Sequence, residues 1–328
     1  MDSVAGWPMR RTRGVACSGA IRTMERRVRG HIEEDLGLML TETPSALLPT
    51  EEDVAFYEEH GYYVSQKVLP DEVIDAAVAG ADRHWSGERD WRLPISSGFA
   101  DWKPSDGNGI RNSEYTALQT REIRALAEYP VIGAIAARLA RSREIRLWDD
   151  QLVSKPPSPG EGGPVVGWHT DRAYWMTCTS EDMLTAWIPL HDCPVEMGPV
   201  IYIDGSHRWP GTDTMRHFNS QDLDELHSGI VDGNFGDLES KKRVIALKKG
   251  QMSFHHSRLI HGSDANRGTF PRTSIALHMQ DEKNRYREFR NEAGELWHIT
   301  NDELCRKDND GKPDYTDPAA FPVLYRAD

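Results

Sequence analysis

Hydrophobic residues recur with a helical period between residues 50 and 141. Thr50 followed by Asp53 is a capping-box pattern that predicts the start of a helix, and Gly61 is predicted to end it after His60. The run "YYVSQKV" that follows is rich in β-formers. Pro70 opens a second predicted helix, whose apolar face carries Val73, Ile74, Ala77 and Val78. A further helix is predicted over "REIRALAEYPVIGAIAARLAR", with apolar positions in helical spacing at Ile132, Ile135 and Leu139.

From Glu144 onward the pattern changes to short β-type runs separated by Gly, Pro and Asp turns. These runs are "EIRLWDDQLVSK", "VVGWHTD", "MLTAWIPL", "PVIYI", "RVIAL", "QMSFHH", "RLIHG" and "RTSIALHMQ". Short strands without intervening helices are typical of an antiparallel barrel or a double-sheet jelly roll. The chain is therefore predicted to be mainly β with flanking helices, and residues 46–328 are predicted to form a single domain.

The net charge, the length of the apolar runs and the cysteine content of the chain argue against several classes of function. A net charge of −13 argues against nucleic acid as the main partner, because binding to phosphates needs a concentrated basic surface. The longest apolar runs are too short to span a membrane. The four scattered cysteines include no C-x-x-C pair, which favours a reducing cytoplasm over a disulfide framework. Residues 1–45 read as a disordered basic leader, and translation starts either at Met1 or at Met24.

His169 and Asp171, in "GWHTD", form the first candidate metal-binding pair. Because side chains alternate along a strand, the two are predicted to project from the same face. A neutral imidazole with a carboxylate suits iron, manganese or zinc better than calcium. With 13 histidines and 52 acidic residues in the chain, the pair alone is weak evidence.

The third ligand is sought in "GQMSFHHSRLIHGSDANRGTFPRTSIALHMQ", which offers His255, His256 and His261. An α-keto acid cosubstrate would need an arginine for its distal carboxylate. Arg267 follows His256 by eleven residues but lies in a predicted turn, whereas Arg272 follows His261 by eleven residues and begins a β-run. His261 is therefore the preferred ligand, and Ser263 shares its face. His255 and His256 are expected to pack near the core, with His255 a candidate outer partner of the metal ligands.

In this order and spacing, "GWHTD", "MLTAWIPL", "MGPVIYIDGSHRW" and "HGSDANRGTFPRTSIALHMQ" resemble the phytanoyl-CoA dioxygenase family of Fe(II)/2-oxoglutarate oxygenases. The resemblance covers residues 50–281. It implies a double-stranded β-helix (jelly-roll, cupin-like) and O2-dependent oxidation of a C–H bond with release of succinate and CO2. It also implies an iron site and a 2-oxoglutarate site. The implied iron ligands are His169, Asp171 and His261, and the implied cosubstrate residues are Arg272, Ser263, Trp187 and Gln151. Halogenating relatives lack the carboxylate, so the presence of Asp171 argues against halogenation.

The substrate is expected to be a small molecule, and we expect a natural product, glycosylated or an oligosaccharide, that is hydroxylated or oxidatively cyclised. Aromatic and basic residues near the predicted mouth and on the irregular segment 86–112 are the candidate substrate contacts: Arg172, Tyr174, Trp175, Trp102 and Arg111. Two alternatives remain open. One is a cupin-like zinc or manganese hydrolase or isomerase, and the other is a non-catalytic binding protein that keeps the barrel.

Overall fold

Among the residues that the structure describes, eleven strands form the β-core. The computed structural model describes residues 43–160, 162–223 and 238–327, and Thr43–Asp328 form one compact unit. The predicted basic leader lies almost wholly outside the described residues. The strands are β1 (Tyr62–Val64), β2 (Arg111–Glu114), β3 (Glu144–Lys155), β4 (Val166–His169), β5 (Leu184–Pro189), β6 (Ile201–Ile203), β7 (Lys242–Val244), β8 (Ser253–His256), β9 (His261–Ser263), β10 (Arg272–Asp281) and β11 (Val323–Arg326).

The strands pair into two antiparallel sheets. The larger sheet has the order β1-β8-β5-β10-β3-β11, with β2 also paired to β3, and the smaller sheet has the order β4-β9-β6-β7. Neighbours in a sheet come from distant parts of the chain, as in a jelly roll. The predicted double-sheet core is therefore confirmed. The run "YYVSQKV" contributes only Tyr62–Val64, which forms the edge strand β1 of the larger sheet and pairs with β8.

Five helices flank this core in the described part of the chain. They are α1 (Glu51–His60), α2 (Asp71–Trp85), α3 (Arg121–Ala127), α4 (Pro130–Leu139) and α5 (Thr300–Leu304). The predicted capping box is present, since the Asp53 amide donates to Thr50 Oγ1 and the Thr50 amide donates to the Asp53 carboxylate. Gly61 ends α1 at φ +81°, a left-handed conformation that glycine adopts without strain.

The helix predicted over residues 121–141 is in fact two helices. Pro130 has no amide hydrogen and disfavours the helical conformation in the residue before it, and Tyr129 is extended there (ψ 122°). The chain therefore breaks between α3 and α4, and Pro130 becomes the first residue of α4, where its missing donor costs nothing.

The main hydrophobic core lies between the helices and one face of the larger sheet. Its residues include Ile74 of α2, Ile132 of α4, Leu152 of β3 and Ile275 of β10, each fully buried. Because side chains alternate along a strand, the other face of β3, β5 and β10 is free to line the space between the two sheets. That space holds the candidate site.

No helix in the described residues is long and apolar enough to cross a membrane.

Candidate active site

The three side chains predicted to bind a metal converge between the sheets. His169 ends β4 and His261 begins β9, and the two residues are directly paired across the smaller sheet. One ligand atom from each of His169, Asp171 and His261 lies within 4.8 Å of the other two. Asp171 does not belong to β4, as the alternation argument supposed. It is the first residue of a 3-10 turn, Asp171–Ala173, which follows the strand and brings the carboxylate back beside His169.

Both imidazoles are oriented by main-chain carbonyls. Nδ1 of His169 donates to the Gly167 carbonyl and Nδ1 of His261 donates to the Leu259 carbonyl, each at 2.9 Å. The unprotonated Nε2 atoms therefore point toward Asp171, at 3.9 Å from His169 and 3.5 Å from His261. Burial lowers the pKa of both histidines, which keeps them neutral and able to donate a lone pair to a cation.

The two oxygens of the Asp171 carboxylate have different neighbours. Its Oδ1 faces the two imidazoles, while its Oδ2 accepts hydrogen bonds from Thr185 Oγ1 at 2.6 Å and from His255 Nε2 at 3.2 Å. Burial alone would raise the pKa of this carboxyl, but the surrounding histidines, His261 and His278 foremost, hold it well below its usual value. The group is ionised, as a metal ligand must be. His255 thus lies against Asp171 as expected, whereas His256 packs against His207.

A second group of polar residues lies where the cosubstrate was predicted. Arg272 is only 3% exposed, and its Nη1 donates to Ser274 Oγ at 2.6 Å. Its Nε has no hydrogen-bond partner, and no carboxylate of the described chain forms an ion pair with it. Its guanidinium stands 5.6 Å from the centre of the Trp187 ring. A buried guanidinium without an anion is costly, so this arrangement fits a cosubstrate carboxylate.

Lys155 is a member of this group that sequence reasoning missed. It is fully buried at the end of β3, directly paired with Arg272, and its Nζ donates to Ser263 Oγ and to the Asp264 carbonyl, each at 2.6 Å. Burial, and then the charge of Arg272, lower the pKa of Lys155 well below its usual value. The only signal in the sequence is a lysine that ends an otherwise buried β-run. Its proximity to Ser263 depends on how the strands pair.

The cavity around these groups is lined by both sheets. Gln151 lines it and donates from Nε2 to Glu114 Oε1 at 3.3 Å, and Trp187 and Ser263, which were also predicted to contact the cosubstrate, line it too. His278 of β10 also lines it and was not foreseen. Because Thr185 gives its one hydroxyl hydrogen to Asp171, His278 Nδ1 must donate to Thr185 Oγ1, at 2.8 Å.

The residues predicted to contact substrate do not line this cavity. Arg172 is 1% exposed, and its guanidinium binds the main-chain carbonyls of Trp175 and Cys178, so it stabilises the turn after Asp171. Trp175 is buried against Trp148 and His278. Tyr174 lies nearer the site, with its ring edge-on to His169 at 6.3 Å.

Trp102 and Arg111 pair with each other on the helix side of the larger sheet. The guanidinium of Arg111 lies 4.5 Å from the centre of the Trp102 ring and 5.5 Å from that of Trp85. The predicted substrate role for Arg172, Trp102 and Arg111 therefore has no support in their positions. Arg267 binds the carbonyls of Gly160 and Gly162 at the surface, away from Arg272, as the turn prediction implied.

Comparison with known proteins is consistent with this geometry. The profile of the family "Phytanoyl-CoA dioxygenase (PhyH)" matches residues 57–274. The peroxisomal phytanoyl-CoA dioxygenase of Mus musculus is 24% identical over 242 residues, which are 70% of this chain and 68% of that enzyme.

Two solved structures from nogalamycin biosynthesis share the fold. The epimerase SnoN, in complex with Fe3+, alpha ketoglutarate and nogalamycin RO, has a TM-score of 0.63 and 26% identity, covering 86% of this chain and 99% of SnoN. The carbocyclase SnoK has a TM-score of 0.62 and 23% identity, with the same coverage. The family and the double-stranded β-helix predicted from the motifs are confirmed.

Proposed function

The chain belongs to the phytanoyl-CoA dioxygenase family of iron(II)- and 2-oxoglutarate-dependent dioxygenases, and we propose that His169, Asp171 and His261 bind its iron. Two neutral imidazoles and one carboxylate are the donor set that non-haem iron takes in such enzymes. Bound together, iron(II), 2-oxoglutarate and O2 supply the oxidation of an unactivated C–H bond, with succinate and CO2 as co-products.

The observation that carries the assignment of the cosubstrate site is the unpaired cation of Arg272. We propose that its guanidinium and the Ser263 hydroxyl bind the distal carboxylate of 2-oxoglutarate. Lys155 supports this arrangement, because its Nζ donates to Ser263 Oγ and leaves the serine hydrogen free for an anion. A hydrolytic zinc or manganese enzyme could use the same three metal ligands, but it would leave Arg272 buried without an anion.

The remaining residues of the cavity control access and orientation. Trp187 covers one side of the Arg272 guanidinium, and Val153, Val166 and Ala276 keep part of the wall apolar. An apolar wall excludes water and strengthens every charged contact inside the site. Thr185 and His255 hold Oδ2 of Asp171 so that Oδ1 faces the two imidazoles.

We further propose that the substrate is a natural product, glycosylated or an oligosaccharide, which is hydroxylated or oxidatively cyclised. Support comes from the likeness to SnoN, whose complex contains nogalamycin RO and which aligns over 86% of this chain. A cytoplasmic location is proposed on the cysteines, since Cys178, Cys193 and Cys305 are buried free thiols.

The first experiment measures cofactor binding without substrate. The purified protein is mixed anaerobically with Fe(II) and then with 2-oxoglutarate, and the visible charge-transfer band of the chelated keto acid is recorded. We expect the band in the wild type, no band in Asp171→Ala, and a band only at much higher 2-oxoglutarate concentration in Arg272→Ala. Arg267→Ala is the matched control, because that arginine lies at the surface, and it should behave as the wild type.

Each alternative outcome is informative. Iron binding without a band in the wild type would overturn the cosubstrate assignment and favour the hydrolytic or isomerising metalloenzyme. The absence of iron binding would overturn the assignment of the metal ligands. An unchanged 2-oxoglutarate requirement in Arg272→Ala would mean that another cation binds the distal carboxylate.

A further inference from the structure

A second cavity of about 240 Å³ adjoins the one that contains the candidate metal ligands. Phe218 lines both cavities, and its ring is edge-on to that of His169 at 5.0 Å. Val165 lines the second cavity and the next residue, Val166, lines the first. A ligand that lies across Phe218 therefore reaches both spaces.

Strand pairing decides which residues of β2 face this second cavity. Asn112 is paired with Val153 of β3, and Val153 lines the cavity of the metal ligands. Arg111 is paired with Ser154 and points to the opposite side, where it stacks on Trp102. The charge of Arg111 is thus directed away from the second cavity, and the neutral amide of Asn112 lines it.

The walls of the second cavity are apolar or carry neutral amides. Ile110, Pro164, Val165 and Phe218 supply the apolar surface, and none of the side chains that line it in the described chain is charged. The amide of Gln221 is already occupied, because it accepts from the Val165 amide at 3.0 Å and donates to the Val165 carbonyl at 3.2 Å. Asn112 Oδ1 is buried and has no hydrogen-bond partner. An unpaired buried acceptor calls for a donor from a ligand.

We propose that this second cavity is a substrate subsite that binds an uncharged, hydroxylated ring such as a sugar residue, with Asn112 Oδ1 accepting a hydrogen bond from a ring hydroxyl. The ring packs against Phe218, and the part of the substrate to be oxidised extends past Phe218 toward His169. The volume is below the roughly 300–1,000 Å³ of sites that hold a whole drug-sized ligand, and so it suits one ring of a larger molecule. A charged group would be desolvated there without a counter-charge.

This inference rests on the proposed function and deepens it, because it assigns residues to one moiety of the substrate. The proposed subsite also distinguishes this chain from an enzyme that binds the phosphate groups of its ligand at this position, since phosphates would need lysine or arginine side chains in the wall.

The test is saturation-transfer NMR on protein loaded with diamagnetic Zn(II) and 2-oxoglutarate. The probes are methyl β-D-glucopyranoside, its charged counterpart methyl β-D-glucuronide, and coenzyme A. We expect transfer to the neutral glycoside and less to the glucuronide and to coenzyme A. Asn112→Leu, which keeps the volume and removes the acceptor, should weaken glycoside binding about fivefold, the value of one hydrogen bond. Asn108→Leu, at an exposed position of the same segment, should have no effect.

A second variant keeps the test decisive if Asn112→Leu does not fold. Ile110→Trp fills the cavity without altering any residue around the metal ligands, and it should abolish transfer to the glycoside. Stronger binding of coenzyme A or of the glucuronide would overturn the proposal, as would glycoside binding that is equal in wild type and in both variants. The iron and 2-oxoglutarate band, recorded on metal-free portions of the same purified proteins to which Fe(II) is added in place of Zn(II), distinguishes failure of this subsite from failure of the proposed function.

Discussion

Thr185 holds the carboxylate that faces the two histidines of the candidate metal site, and Thr185→Val tests that role with little change in volume. Thr185 Oγ1 donates to Asp171 Oδ2 at 2.6 Å and accepts from His278 Nδ1 at 2.8 Å. A hydrogen bond to a charged group contributes about 1.5–3 kcal/mol. Replacing the outer partner of a metal ligand typically lowers metal affinity about 10–100-fold. His255 Nε2 continues to donate to Oδ2 at 3.2 Å in the variant.

Because one of the two donors remains, we expect iron(II) affinity to fall by about tenfold, the lower end of that range. Anaerobic calorimetric titration with Fe(II) measures this directly. Urea unfolding of the metal-free protein should also show a loss of about 1–3 kcal/mol, since the buried His278 Nδ1 is left without an acceptor. Thr185→Ser keeps the hydroxyl and should restore affinity, and Thr269→Val, at an exposed threonine, is the matched control. Equal iron affinity in wild type and Thr185→Val would refute the reasoning that Thr185 orients Asp171.

Three further substitutions test other parts of the structure. Arg272→Met should leave the metal-free protein as stable toward urea as the wild type, or more stable, because it removes a buried charge that has no carboxylate partner. Its affinity for 2-oxoglutarate should fall at least about tenfold. A clear loss of stability would indicate that Arg272 has an anionic partner within the fold. Burial raises the pKa of Asp150 to about 7, above the value of about 3.9 in an unfolded chain. The folded state therefore holds the proton more tightly than the unfolded state, and the stability that this provides is lost as pH rises from about 4 to 7. The free energy of unfolding of Asp150→Asn, minus that of the wild type, should therefore increase by up to ~4 kcal/mol between pH 4 and pH 8. Denaturant titrations measure this difference, and a difference that does not change with pH would contradict the reasoning. Gly167→Ala should unfold at markedly lower urea concentration and bind iron more weakly, because its Cβ would lie 1.9 Å from the His217 carbonyl oxygen. Gly160→Ala is the control and should match the wild type, because no atom lies within 4 Å of the Cβ it would add.

Strand and helix identity was readable from the sequence because it depends on local patterns. The alternating runs from Glu144 onward correspond to strands β3 to β10, and the capping box at Thr50 starts α1 where it was predicted. Pro130 is also a local signal for a break between helices, but apolar residues keep helical spacing on both sides of it, and one continuous helix was therefore predicted.

The residues of the candidate metal site could be chosen from sequence for a chemical reason. Few side chains bind a divalent metal, and His261 was preferred among three histidines because Arg272, eleven residues after it, begins a β-run, whereas Arg267, eleven residues after His256, lies in a turn. His169 and Asp171 were predicted to share one face of a strand, whereas a 3-10 turn, and not strand alternation, returns Asp171 to His169.

What the sequence alone determined is thus most of the elements, the family and the choice of candidate metal ligands, because these depend on neighbouring residues and on side-chain chemistry. Only the tertiary structure decided which polar residues from distant strands meet. Lys155 faces Ser263, and Asn112 rather than Arg111 faces the second cavity, because of the register between β2, β3 and β10. A shift of one residue in strand register turns every side chain to the opposite face. The pairing that places Asn112 joins it to Val153, about forty residues along the chain, and the pairing of Lys155 with Arg272 spans more than a hundred residues.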